Sequence, residues 1–153
     1  MAITLYWEDL QPGTVRDLGT TSVTAEEIKE FAAKYDPQPF HLDEEAGRQS
    51  MFGALAASGW QTACLAMRLT VDNMLRHSAS KGSPGLESLK WLKPVYPNDQ
   101  LSLRHTILES RPLKSRPDTG LVRSRWELFN QDGDKVLEME GYGMFGRRHP
   151  AVG

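Results

Sequence analysis

The chain has 153 residues, 39% of them hydrophobic and 25% charged, with a formal net charge of −2. That length suits one domain able to bury a core without staples, and a near-balanced charge with no block of like sign advertises no nucleic-acid or membrane partner. The single cysteine, Cys64, excludes an intramolecular disulfide and a cysteine-based zinc site, no stretch approaches the ~18 consecutive apolar residues of a membrane span, and Met1 to Tyr6 lacks the pattern of a secretory signal, so the expectation is a cytoplasmic protein.

Gln11-Pro12-Gly13 is a turn signal, and Thr14 to Val23 after it can form a strand. Thr24 and Glu27 match a capping box, in which each side chain satisfies the other's backbone N–H. Ile28, Phe31, Ala32 and Tyr35 continue at helical spacing. Pro37 and Pro39 stop that helix near Tyr35 and leave Asp36 to Asp43 as an irregular, stiffened loop. Ser58 and Gln61 form a second capping-box match, placing Gly59 at the first position of a helix over residues 59–77. Trp60, Ala63, Cys64, Met67, Val71, Met74 and Leu75 then recur at steps of three and four, predicting one apolar, core-facing side. Strand texture follows. Leu86 to Pro94 alternates; Leu101, Leu103, His105 and Ile107 share a face; Arg111 to Gly120, polar and with two prolines, reads as a long hairpin loop. Val122 to Leu128 alternates, Asn130 to Gly133 is a hairpin turn, and Val136 to Phe145 is the last strand. Gly146 to Gly153 reads as a frayed tail.

The order is strand, short helix, long helix, four consecutive strands. Short turns between consecutive strands favour antiparallel pairing, so the class is α+β. One domain over residues 1–146 with a tail at 147–153 is expected, its curved sheet wrapped around the long helix.

The most unusual segment is Asp36-Pro37-Gln38-Pro39-Phe40-His41-Leu42-Asp43, with two carboxylates, an imidazole and two prolines in eight residues. A carboxylate and an imidazole can divide proton abstraction from water and proton delivery to carbon, and the prolines would help hold the pair. By spacing alone, an Asx-type turn with a surface histidine fits the same residues.

Three blocks carry a resemblance. Asp36-x-Gln38-Pro39-x-His41-x-Asp43 is similar to the D-x-N-P-x-H-x-D signature of the MaoC-like (R)-hydratase family. Phe52 to Trp60 resembles the family's apolar lead into a glycine opening the central helix. Leu89 to Leu101 resembles its (F/W)-x-x-P-V-x-P-G-D-x-L stretch. The blocks follow the family's order and spacing over roughly residues 35 to 101. The resemblance implies a hot-dog fold, a homodimer or larger homo-oligomer with the active site between protomers, and (R)-specific hydration or dehydration of an enoyl thioester. Its carrier would be coenzyme A or acyl carrier protein, with no cofactor or metal. Asp36 and His41 align with the catalytic pair, and Gly59 with the glycine whose N–H binds the thioester oxygen. That last role has its own physical support, since a helix N-terminus offers free N–H groups and a favourable dipole, and a glycine lets substrate approach closely. Ser58 is grouped with Gly59 as substrate-binding, and Asp43 is structural. Gln38 stands where the family has Asn, Ser58 where His is common, and Met67 roughly where characterised hydratases carry a helix serine. A hot-dog thioesterase and a non-catalytic acyl-thioester-binding module are the rival readings.

The other candidates read as structural. His77 suits a helix C-terminus, His105 sits on an apolar strand face, His149 lies in the tail, and no histidine pair has metal-ligand spacing. Cys64 is expected to be a buried, inert thiol. Lys90, Lys93, Arg104, Arg123, Arg125, Arg147 and Arg148 are read first as solvated and only second as contacts for coenzyme A phosphates. Trp60, Met67 and Met74 are read first as core.

Overall fold

A computed structural model describes residues 2–152 of the chain. The elements are β1 (Val15–Ser22), α1 (Ala25–Tyr35), α2 (Pro39–Leu42), α3 (Glu44–Gln49), α4 (Gly59–Asn73), β2 (Leu86–Trp91), β3 (Gln100–Leu113), β4 (Arg116–Phe129) and β5 (Lys135–Gly146). The strands form one antiparallel sheet in the order β1-β3-β4-β5-β2, and α4 packs on it, the hot-dog arrangement of an α+β fold. Leu101, Leu103 and Ile107 of β3, Val122 and Leu128 of β4, and Leu137 and Phe145 of β5 are buried together with Ala66 and Leu69 of α4. This is the alternation the sequence shows, one sheet face turned to the helix. No helix among the described residues is long and apolar enough to cross a membrane.

The first capping box forms in full: Glu27 N donates to Thr24 Oγ1 at 3.1 Å and Thr24 N to Glu27 Oε1 at 2.9 Å. The second forms by half. Ser58 Oγ accepts from Trp60 N at 3.3 Å, but Gln61 turns away and its amide donates to Glu27 O at 3.1 Å, tying α4 to α1.

Several expectations need correction. The loop after α1 contains the helical turn α2, because Pro39 sits at its first position, where a missing N–H is no loss. Asp43 then caps a further helix, α3, through Ala46 N at 2.9 Å. The long helix ends at Asn73 rather than His77; Met74 leaves helical geometry (φ −146°) and Leu75–His77 is a 3-10 turn. Residues 111–120 are not a loop. Strands β3 and β4 run on past the last β1 pairing, Val15 with Thr106, and there β3 keeps β4 as its one neighbour among the strands while β4 stays paired with β5 to Thr119. Pro112 therefore lies on a locally free edge, where a missing ladder donor is tolerated. The chain beyond β5 is tied down through Ala151: Arg147 N donates to Asp118 O, Ala151 N to Pro117 O, and Arg148 pairs with Asp9 at 2.8 Å.

The face of α4 also differs. Gln61, Thr62, Ala66, Leu69 and Thr70 are buried, whereas Trp60 is 57% and Met67 51% exposed and Cys64 is exposed. Met74 alone of the expected Trp60/Met67/Met74 stripe is core. Thr62 and Thr70 can face inward because each hydroxyl reaches the carbonyl four residues back, Ser58 O and Ala66 O, which removes the cost of burying an unpaired group.

Candidate active site

Asp36 ends α1. Its N–H still reaches Ala32 O at 2.8 Å, but its φ of −152° leaves the helix. Gln38 N donates to Asp36 O at 2.8 Å and His41 N to Gln38 O at 3.0 Å, so the chain doubles back within one turn. His41 Nε2 comes to rest 3.4 Å from Asp36 Oδ2. The imidazole is buried, 4.6 Å from the Phe40 ring and 6.2 Å from that of Phe52. Its Nδ1 lies 2.5 Å from Ala56 O. A carbonyl only accepts, so Nδ1 carries hydrogen and Nε2 is the nitrogen free for proton exchange toward Asp36. Ala56 is itself held, donating to Phe40 O at 3.2 Å, while Ala57 N donates to Val95 O at 2.8 Å. The apolar lead into α4 is thus stitched between α2 and the segment after β2.

Both oxygens of Asp36 are engaged. Gln38 Nε2 donates to Oδ1 at 2.6 Å and Ser58 Oγ to Oδ2 at 2.8 Å. Partial burial works to raise the Asp36 pKa, but the hydrogen bonds from Gln38 and Ser58 and the proximity of His41 outweigh it and hold it below the ordinary carboxylate value.

A cavity of about 600 Å³ has Asp36, Gln38, His41, Gly59, Trp60 and Trp91 among its lining residues. Gly59 is the first residue of the 15-residue α4, so its N–H has no partner within the helix. Trp91, at the end of β2, covers it: the indole Nε1 donates to Gly59 O at 2.8 Å, and the ring meets Trp60 edge-on at a centroid distance of 5.0 Å. A second cavity of about 440 Å³, lined by Glu87, Glu109, Arg111 and Tyr142, holds neither Asp36 nor His41.

Asp36, His41 and Gly59 therefore meet at one cavity. Ser58 adjoins them but is fully buried, and its hydroxyl points to Asp36. Met67 stands on the exposed side of α4. His105 is buried in β3 against Trp126, with no partner for either ring nitrogen among the described residues. Lys93 reaches the cavity wall but pairs with Asp134 at 3.0 Å, Arg123 and Arg125 pair with Glu140, and Arg104 lies over the Phe129 ring. Three contributors had no assigned role in the sequence: the Ala56 carbonyl, the Gln38 amide and the Trp91 indole. A backbone carbonyl leaves no compositional trace. Gln38 and Trp91 stood in the motif blocks, but only their geometry reveals what they hold.

Residues 9–124 match the MaoC like domain family. The chain is 29% identical over 128 residues to the uncharacterized protein YdeM of Bacillus subtilis, spanning 84% of this chain and 89% of that protein. The crystal structure of a MaoC-like dehydratase from Rhodospirillum rubrum is 41% identical, covers 95% of this chain and 99% of its own, and superposes with a TM-score of 0.85. An unliganded R-hydratase from Pseudomonas aeruginosa shares the fold at 22% identity and a TM-score of 0.77, over 99% of this chain and 97% of that one. With the family match spanning most of its length, the chain belongs to the MaoC-like domain family.

Proposed function

We propose that the protein adds water reversibly to a trans-2-enoyl thioester of coenzyme A or acyl carrier protein, giving the (R)-3-hydroxyacyl thioester. The observation that carries this reading is the 3.4 Å approach of His41 Nε2 to Asp36 Oδ2 on the wall of the cavity that also holds the first residue of α4. A hydratase needs two proton-transfer groups and a donor for a developing enolate oxygen, and the cavity offers all three.

The thioester oxygen accepts from Gly59 N–H, where the dipole of α4 favours negative charge. Asp36 Oδ2, kept ionised by its two donors, takes a proton from water as the water oxygen bonds to C3. The C2–C3 π electrons move toward the thioester, and charge gathers on its oxygen. Asp36 passes that proton to His41 Nε2 across the 3.4 Å gap, while Nδ1–H stays on Ala56 O and keeps the ring oriented. As the enolate collapses, the imidazolium so formed gives the Nε2 proton to C2, which restores the carboxylate and the neutral imidazole of the starting state.

The active unit we propose is a homodimer. Strand β2 is an edge of the sheet, and its Leu86 and Trp91 are exposed, as are Trp60 and Met67 of α4. Unpaired edges and contiguous apolar surface are what a second subunit covers.

Purified protein offered enoyl-CoA substrates from short to long chain should consume the conjugated enoyl absorbance without releasing thiol. Thiol release would mean hydrolysis, and folded protein that binds acyl thioesters without turnover would mean a binding module; either result overturns the reading.

A further inference from the structure

Ser58 touches two parts of the candidate site at once. Its Oγ donates to Asp36 Oδ2 at 2.8 Å and accepts from Trp60 N at 3.3 Å, in the first turn of α4. Its side chain is fully buried, so it has no surface to offer a substrate. On the other side of the carboxylate, Gln38 Nε2 donates to Oδ1 at 2.6 Å. The remaining partner of Asp36 is His41, at 3.4 Å. A carboxylate with a donor on each oxygen cannot rotate without losing a charge-assisted bond. The Ser58 bond also fixes its distance from the helix end that carries Gly59.

We propose that Ser58 and Gln38 are positioning residues for the Asp36 carboxylate, and that Ser58 is the link that registers the base against the oxyanion donor. The proposal rests on the hydratase reading for its kinetic consequences but not for its structural content. Serine suits the role because one hydroxyl both donates and accepts. Threonine retains this property and alanine loses it. Gln38 supplies the amide from the opposite side, where Pro37 and Pro39 confine its backbone.

The test is Ser58→Ala, Ser58→Thr and Gln38→Ala, assayed for enoyl-CoA hydration over a pH series. Loss of either donor should lower kcat by about tenfold or more, the scale of a hydrogen bond to a charged group, with KM little changed. The acid limb of the kcat/KM profile should move to higher pH, because a carboxylate without its donors protonates more readily. Ser58→Thr should restore both. A raised KM with unchanged kcat and acid limb would make Ser58 a substrate-binding group and overturn the proposal. Ser58 also caps α4, but Gln38 is exposed and its alanine variant disturbs no core, so it guards against a folding artefact. A carboxyl-carbon NMR titration of Asp36 separates this idea from the hydratase reading. The Asp36 titration should move up in both alanine variants even if no enoyl thioester is turned over, and an unmoved titration refutes the clamp whatever the reaction.

Discussion

The sharpest test of the site concerns why position 59 is glycine. A Cβ there would lie 2.5 Å from Cε2 of Trp91 and 2.7 Å from Cδ2 and Nε1. Ordinary contact begins near 3.4 Å, so the indole must retreat by about 0.9 Å or more. Such a retreat breaks the 2.8 Å bond from Trp91 Nε1 to Gly59 O and disturbs the edge contact with Trp60. Overpacking of this kind costs about 1–3 kcal/mol. Trp91 is 45% exposed and can swing outward, which places Gly59→Ala near the low end for stability. The catalytic loss should be larger in proportion, about 10- to 100-fold in kcat/KM, because a misplacement near 1 Å at an oxyanion donor is enough for that. The decisive assay is a double-mutant cycle. In a Trp91→Ala background the clash is gone, and Gly59→Ala should then cost less than about threefold in kcat/KM and under about 0.5 kcal/mol in urea unfolding. Equal losses in both backgrounds would refute the reasoning. They would mean that glycine is needed for the substrate's approach, as the sequence alone suggests, and not for the indole's.

Asp36→Asn and His41→Ala should each lower hydration by about 100-fold or more while leaving the fold intact by circular dichroism; an active Asp36→Asn would remove that carboxylate from the chemistry. His105 gives a pH prediction for stability. Burial, with the Arg16 charge nearby, lowers its pKa to about 4, so the unfolded chain binds a proton that the native state refuses between roughly pH 6.5 and 4. Stability should fall as pH drops through that window, by about 3 kcal/mol from this group, and His105→Leu should flatten the slope in urea titrations; an unchanged slope would assign the acid sensitivity elsewhere. Met67→Lys, on the exposed side of α4, should shift sedimentation toward monomer with little change in secondary structure, and an undisturbed dimer would place the interface on another face.

The legible parts of this sequence are those in which local chemistry and periodicity agree. Thr24 and Glu27 mark the start of α1 because both halves of the capping box are spent on the helix itself. Leu101, Leu103, His105 and Ile107 declare the face of β3 by alternation. Asn130 to Gly133 encodes its turn, and Gly133 takes a φ of 79° as such a turn requires. Asn98, where the family motif has glycine, still adopts a φ of 67°, which asparagine tolerates better than most residues. Less legible were the elements whose prolines argue against regularity. Pro39 opens a helical turn and Pro112 sits on a strand edge, and in both places the missing N–H has no bond to lose. Sequence spacing brought Asp36 and His41 into question together. It did not contain the Ala56 carbonyl that sets the imidazole's tautomer, because that contact spans 15 residues and uses only backbone.

The face of α4 departs from its apolar periodicity for a reason with wider consequence. Periodicity assumes that the most apolar stripe of a helix faces its own core. Here two threonines, each with its hydroxyl on the carbonyl four residues back, and a glutamine whose amide donates to Glu27 O take the inward positions. Trp60, Cys64 and Met67 are left outside. Large apolar groups at helical spacing on an exposed face are costly for a monomer to keep in water, each worth about 1.5–3 kcal/mol if fully covered. The same stripe begins at Trp60, which lines the cavity and touches Trp91. In the proposed homodimer, a helix that gives its threonines to its own core and its tryptophan and methionine to the outside serves two neighbours. One is the sheet that wraps it. The other is whatever closes the cavity, and a second copy of the chain would meet both the β2 edge and this stripe in one interface.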